Sequence, residues 1–116
     1  MSYSVQLFDP SVRDKVAAGL ALDAIEVPAL HPDAVSIFLN RLERYGYRLV
    51  GVTPFGQEFV KSVGAATISV LVGPSEISFS ASSQPAIFEA LQDASELSDR
   101  GDLALFDPQE DRWLEA

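Results

Sequence analysis

The spacing of apolar and polar positions changes period several times along the chain, and the changes mark out nine elements. Tyr3, Val5 and Leu7 alternate with Ser4 and Gln6, the period of a half-buried strand, and Asp9-Pro10 ends it. Ser11 followed by Asp14 has the spacing of a capping box and predicts a helix with Val12, Val16 and Leu20 on one face. Gly19 and its neighbouring alanines weaken that helix beyond about residue 22, and Val27-Pro28 through His31-Pro32 reads as irregular connection. A second helix follows Pro32-Asp33, because Val35, Phe38, Leu39 and Leu42 fall at i, i+3, i+4 and i+7 with Ser36, Asn40 and Glu43 opposite. Arg41 and Arg44 suit its carbonyl end, and Gly46 suits the left-handed residue just beyond it. Tyr47 to Thr53 resumes in extended form.

From Gln57 to Ser83 the pattern is that of a meander. Phe59 to Val63 reads as a short strand and Ala66 to Val72 as a longer one. After the turn Gly73-Pro74-Ser75, Ile77, Phe79 and Ala81 alternate with Ser78, Ser80 and Ser82, so one face of the sheet is apolar and the other carries small hydroxyls. Pro85 to Asp99 is the third helix, capped by Ser82 or Ser83. Ile87, Leu91 and Ala94 centre its buried face, flanked by Phe88, Ala90 and Leu97, while Glu89, Asp93 and Glu96 lie opposite. Gly101 ends the helix, Leu103 to Phe106 forms a last strand, and Asp107-Pro108 leads into a polar end containing Trp113. The expected fold is α+β in a single domain, residues 1–116, with a largely antiparallel sheet of four to six strands and amphipathic helices packed on one face.

Composition narrows function mainly by exclusion. The chain has no cysteine and one histidine, which removes disulfide scaffolds, thiolate zinc sites, cysteine nucleophiles and two-histidine metal centres. It contains no glycine-rich phosphate cradle and no G-x-S-x-G elbow. Asp99-Arg100-Gly101-Asp102 lacks the calcium-loop order, so Asp99, Asp102, Asp107, Glu110 and Asp111 read as solvated acidic surface. The expectation is a non-enzymatic protein without cofactor or metal. With no basic-then-apolar leader and no apolar run near the roughly twenty residues of a membrane span, a cytoplasmic location is expected.

Charge gives the chain a direction. It carries 17 acidic and 8 basic side chains, a formal charge of −9. Residues 1–60 hold five basic and seven acidic groups, a net of −2, whereas residues 61–116 hold three and ten, a net of −7. Such a surface repels phosphate backbones, which disfavours nucleic acid and anionic membranes and makes a basic protein the expected partner. Glu89, Asp93 and Glu96 are the candidate contacts, since their mutual repulsion on one helix would be relieved by a cation. Trp113 is the other candidate, either closing the core edge or standing out as an anchor. Thr67, Ser69, Ser78 and Ser80 offer an alternative, an open sheet face where another chain or a second copy docks. A ligand pocket using Tyr45, Tyr47, His31 or Arg48 is a third possibility.

A short string occurs twice: Leu7-Phe8-Asp9-Pro10 and Leu105-Phe106-Asp107-Pro108 each end a strand with an Asp-Pro turn. The second continues as Phe106-Asp107-Pro108-Gln109 and closes at Trp113-Leu114. Together with Glu76-Ile77-Ser78-Phe79-Ser80 leading into an alanine-rich helix, it resembles the F/Y-D-P-Q ending of small uncharacterised bacterial proteins, several associated with polymorphic-toxin immunity. That resemblance implies an inhibitor that masks a basic effector, and it transfers no functional residue.

Overall fold

A computed structural model describes residues 3–20, 27–98, 103–110 and 112–114. Along the chain run β1 (Tyr3–Phe8), α1 (Pro10–Ala17), α2 (Pro32–Arg44), β2 (Arg48–Thr53), β3 (Gly56–Val63), β4 (Ala66–Val72), β5 (Ile77–Ala81), α3 (Gln84–Leu97), β6 (Ala104–Asp107) and β7 (Arg112–Leu114). The strands form one antiparallel sheet in the order β2-β3-β4-β5-β1-β6-β7, so the fold is α+β. The sheet is wider than the expected four to six strands. The added width includes β7, whose three residues are too few to display a period.

Local chemistry sets the helix boundaries. Asp9, rather than Ser11, caps α1: its carboxylate accepts from the Ser11 amide at 3.0 Å, and Pro10, which lacks an amide hydrogen, fills the first turn. His31 caps α2, its Nδ1 accepting from the Asp33 amide at 3.2 Å. At the other end the Gly46 amide donates to Glu43 and the Tyr47 amide to Leu42, the paired bonds of a Schellman motif, with Leu42 and Tyr47 both buried. Ser83 caps α3 through its hydroxyl, which accepts from the Ala86 amide.

Cross-strand register separates the two faces of the sheet. On the first, Val5, Leu7, Ile68, Val70, Ile77 and Phe79 are buried beneath α2 and α3, with Phe38 and Tyr47 each set edge-on to the Phe79 ring at about 6 Å. The second face carries Ser4, Gln6, Thr67, Ser69, Ser78 and Ser80, none of them buried. Its β1–β6–β7 end is different, because Phe8 and Phe106 point there and pack with Val12 of α1 and with Trp113. Two helices therefore cover one face, and α1 closes a corner of the other.

The repeated Asp-Pro strings do different work. Asp9 caps a helix, whereas Asp107 organises a turn by accepting from the amides of Gln109 and Glu110 and from the Gln109 side chain. The Gln109 carboxamide then pairs with both backbone groups of Ser4, donating to its carbonyl at 2.7 Å and accepting from its amide at 2.9 Å. A side-chain amide thus replaces the peptide that β6 would have offered had it run further along β1. This accounts for the Phe-Asp-Pro-Gln sequence as turn chemistry.

Candidate functional site

The third helix does not present an open carboxylate stripe. Asp93 is 5% exposed and lies on the buried side of α3 with Ala86, Ala90, Ala94 and Leu97. Its Oδ2 accepts from the Tyr47 hydroxyl at 2.9 Å and from Lys61 Nζ at 2.9 Å. Lys61 is held on β3 opposite Ile68, on the helix-facing side of the sheet, and also reaches Glu89 at 3.0 Å while its ammonium sits 5.2 Å from the Tyr47 ring centre. Glu96 remains exposed and receives a long hydrogen bond from Tyr45. Of the three expected partner contacts on α3, Asp93 ties the helix to the sheet, Glu89 is paired within the chain, and Glu96 alone is fully on the surface. The repulsion read from their spacing is relieved from inside, by Lys61.

Electrostatics favour the ammonium of Lys61 and the neutral phenol of Tyr47. Burial opposes the Lys61 charge, but the bonds to Asp93 and Glu89 outweigh it and push its pKa up. Burial also raises Tyr47, reinforced by its bond to Asp93 and by the nearby carboxylates, and raises Tyr45, reinforced by Glu96. Tyr3 is pushed up to about 12, by burial first and then by its hydrogen bond to Asp107. A neutral phenol and a protonated amine suit cross-linking of elements better than proton abstraction near neutral pH. These three are all the tyrosines of the chain, which gives a direct measurement. Absorbance at 295 nm is expected to show Tyr3 and Tyr47 ionising only above pH 10, the enclosed Tyr47 together with loss of the folded circular dichroism. The sign follows from folded-state values above the unfolded one, whose stabilisation is complete below about pH 10 and is lost as pH rises through them. Ordinary titration of more than one tyrosine in folded protein would contradict the assignment.

Trp113 folds back against the molecule. Its indole lies 4.9 Å from the Phe106 ring and 5.9 Å from Phe8, and its Nε1 is buried with no acceptor among the described residues. Of the residues considered for a pocket, Tyr47 and Arg48 line one open cavity with Leu39, Leu49, Gln57 and Phe59, while Tyr45 bonds to Glu96 and His31 caps a helix. Among the described residues no three histidine or carboxylate side chains are placed to hold a metal ion, and no helix is long and apolar enough to cross a membrane. Asp99, Asp102 and Asp111 of the acidic end, and Gly101, lie outside the described residues.

The surface that sequence reasoning missed is the margin of the sheet at β2. Among the described residues only one side of β2 is paired, to β3, and all of its residues except Gly51 are exposed. Leu49 is 51% exposed, Val52 72%, and Phe55 in the following turn 75%, with Val50 between them also open. A run of large apolar side chains along an unpaired strand is what folded proteins usually avoid. Local charge distinguishes this margin as well. Residues 34–63 carry Arg41, Arg44, Arg48 and Lys61 against Glu43 and Glu58, a net of +2, while the rest of the chain carries four basic and fifteen acidic groups, a net of −11. Comparison with known protein families, curated proteins and solved structures returned no match, so the β2 margin has to be interpreted from its own geometry.

Proposed function

We propose that this protein is a non-enzymatic interaction module that receives another polypeptide strand along β2. One observation carries the reading: Leu49, Val50 and Val52, with Phe55 in the turn that follows, are apolar and exposed along a strand that among the described residues is paired on one side. An incoming strand would complete the hydrogen bonding of β2 while covering those side chains, the mode known as strand addition. The test compares wild-type protein with the double variant Leu49→Lys/Val52→Lys as bait in a lysate of its source organism. Capture by the wild type and its loss in a folded variant is the expected result. Equal capture by both would overturn the assignment to β2.

A second reading keeps the basic effector and the immunity-type role that the resemblance implies. It is favoured by Phe88, an aromatic side chain 75% exposed on α3 beside Gln84, Glu89 and Gln92. The same experiment separates the two. Binding through α3 would be abolished by Phe88→Ala and weakened by salt, whereas binding through β2 would respond to the lysine substitutions and tolerate salt.

A further inference from the structure

We infer that the strand received by β2 is β2 of a second copy, paired antiparallel about a two-fold axis between Val50 and Gly51. This rests on β2 being the docking edge and goes further by naming the occupant and the register.

The register comes from an irregularity in the β2–β3 pairing. Leu49 lies opposite Phe59 and Val52 opposite Gln57, so the shift between Leu49 and Gly51 puts Leu49 and Val52 on the same, helix-facing side although two residues separate them. Arg48, Gly51 and Thr53 lie opposite Val60, Glu58 and Gly56, on the other side. Directly opposed residues of an antiparallel pair share a face. A two-fold axis between Val50 and Gly51 sets Arg48 opposite Thr53 of the second copy and Leu49 opposite Val52, and the symmetry repeats both pairs. These two pairs set helix-facing against helix-facing residues and open-face against open-face residues, with the irregularity at Val50 and Gly51 falling at the axis. Moving the axis onto Val50 or Gly51 sets helix-facing residues against residues of the open face. Irregularities of this kind elsewhere turn edges away from partners; here it falls on the symmetry axis and makes the strand complementary to itself.

Charge supports the same arrangement. Among the described residues neither Arg48 nor Glu58 has an ion-pair partner. In the two-fold register Arg48 lies diagonal to Gly51 of the second copy, which has no side chain to obstruct it, and Glu58 of that copy is one strand further on the same face. The long guanidinium stem can cross the glycine to that carboxylate, and the symmetry makes two such pairs. Like-charged Arg48 residues stand at opposite ends of the interface. The excess of negative charge resides on the remainder of each molecule, so repulsion between two copies of charge −9 is long-range and screenable.

Light scattering and sedimentation on the purified chain, read against concentration and salt, test the proposal. A dimer is expected whose association strengthens about severalfold from low to physiological salt, the reverse of binding to a basic partner. Leu49→Lys/Val52→Lys, which gathers four ammonium groups at the axis, should weaken association at least about 100-fold with the monomer still folded. The chain has no native cysteine, so Arg48→Cys/Thr53→Cys reports register cleanly: opposed positions stand about 4.5–5.5 Å apart, within disulfide reach, whereas the two sites in one strand do not. Mild oxidation should give a covalent dimer from the double variant and not from either single one. A monomer at all concentrations, or a dimer indifferent to the lysine substitutions, overturns the inference. If the monomeric wild type still captures a protein that the lysine variant does not, β2 remains a docking edge with another occupant; loss of both results removes both readings.

Discussion

Replacing Lys61 with methionine is expected to cost about 3–5 kcal/mol of folding stability, read as a shifted urea midpoint with an unchanged slope. Methionine keeps the apolar stem and removes only the ammonium, so the loss isolates the charge. Without it the Asp93 carboxylate, nearly enclosed by α3 and the sheet, retains a single donor, the Tyr47 hydroxyl, and faces Glu89 across the space that Lys61 filled. An unpaired buried charge is far more costly than the net worth of the pair that preceded it. The double variant Lys61→Met/Asp93→Asn should therefore recover most of the loss, because asparagine still accepts from Tyr47 and carries no charge. A loss below about 1 kcal/mol in the single variant, or no recovery in the double, would mean that the cluster is hydrated and peripheral.

Gly56→Ala is expected to be of similar severity, about 3 kcal/mol or more, lowering the melting temperature by on the order of 10–20 °C. Gly56 follows the Pro54-Phe55 turn between β2 and β3 with φ at +142°, a region side chains rarely enter. A Cβ there would stand 2.1 Å from the Val72 carbonyl oxygen, which is backbone and cannot swing aside. The same turn approaches Gly73, and the β4–β5 turn beyond it accepts the Leu30 amide through Pro74, so a forced shift is passed toward the start of α2. Calorimetry that placed the variant within a few degrees of the wild type would contradict this packing.

Much of the architecture was legible because one-sided burial leaves a period. The alternation in β1, β4 and β5, the i, i+3, i+4, i+7 spacing of α2, Gly46 and Ser83 all indicated what the structure contains. The misreadings have physical causes. Asp93 groups with Glu89 and Glu96 in the sequence because carboxylates default to the solvent side of a helix, yet the i, i+4, i+7 positions span a wide enough arc for one to turn inward. A clue was available on another element: Lys61 sits between Phe59 and Val63 at inward parity on β3, where an amine needs a buried acceptor. Phe88 was placed near the core by its apolarity, whereas alanines at 86, 90 and 94 make the actual contact and let α3 lie close to the sheet. The exposure of β2 left no mark of its own, since apolar residues look alike whether a neighbouring strand covers them or not. It is the sheet order that gives β2 a single neighbour among the described residues.

The place of β1 also bears on how the chain folds. It lies between β5 and β6, so its neighbours are separated from it by about seventy and about one hundred residues, as in the pairs Leu7 with Ile77 and Leu7 with Leu105. The hairpins β2–β3, β3–β4 and β4–β5 can each close locally as the chain emerges. During synthesis β1 has no strand to join until β5 has been made, and it gains its second neighbour only with β6. Closure of the sheet is thus a late, entropically costly search between distant segments, and the carboxamide of Gln109 clasps Ser4 only after that search has succeeded.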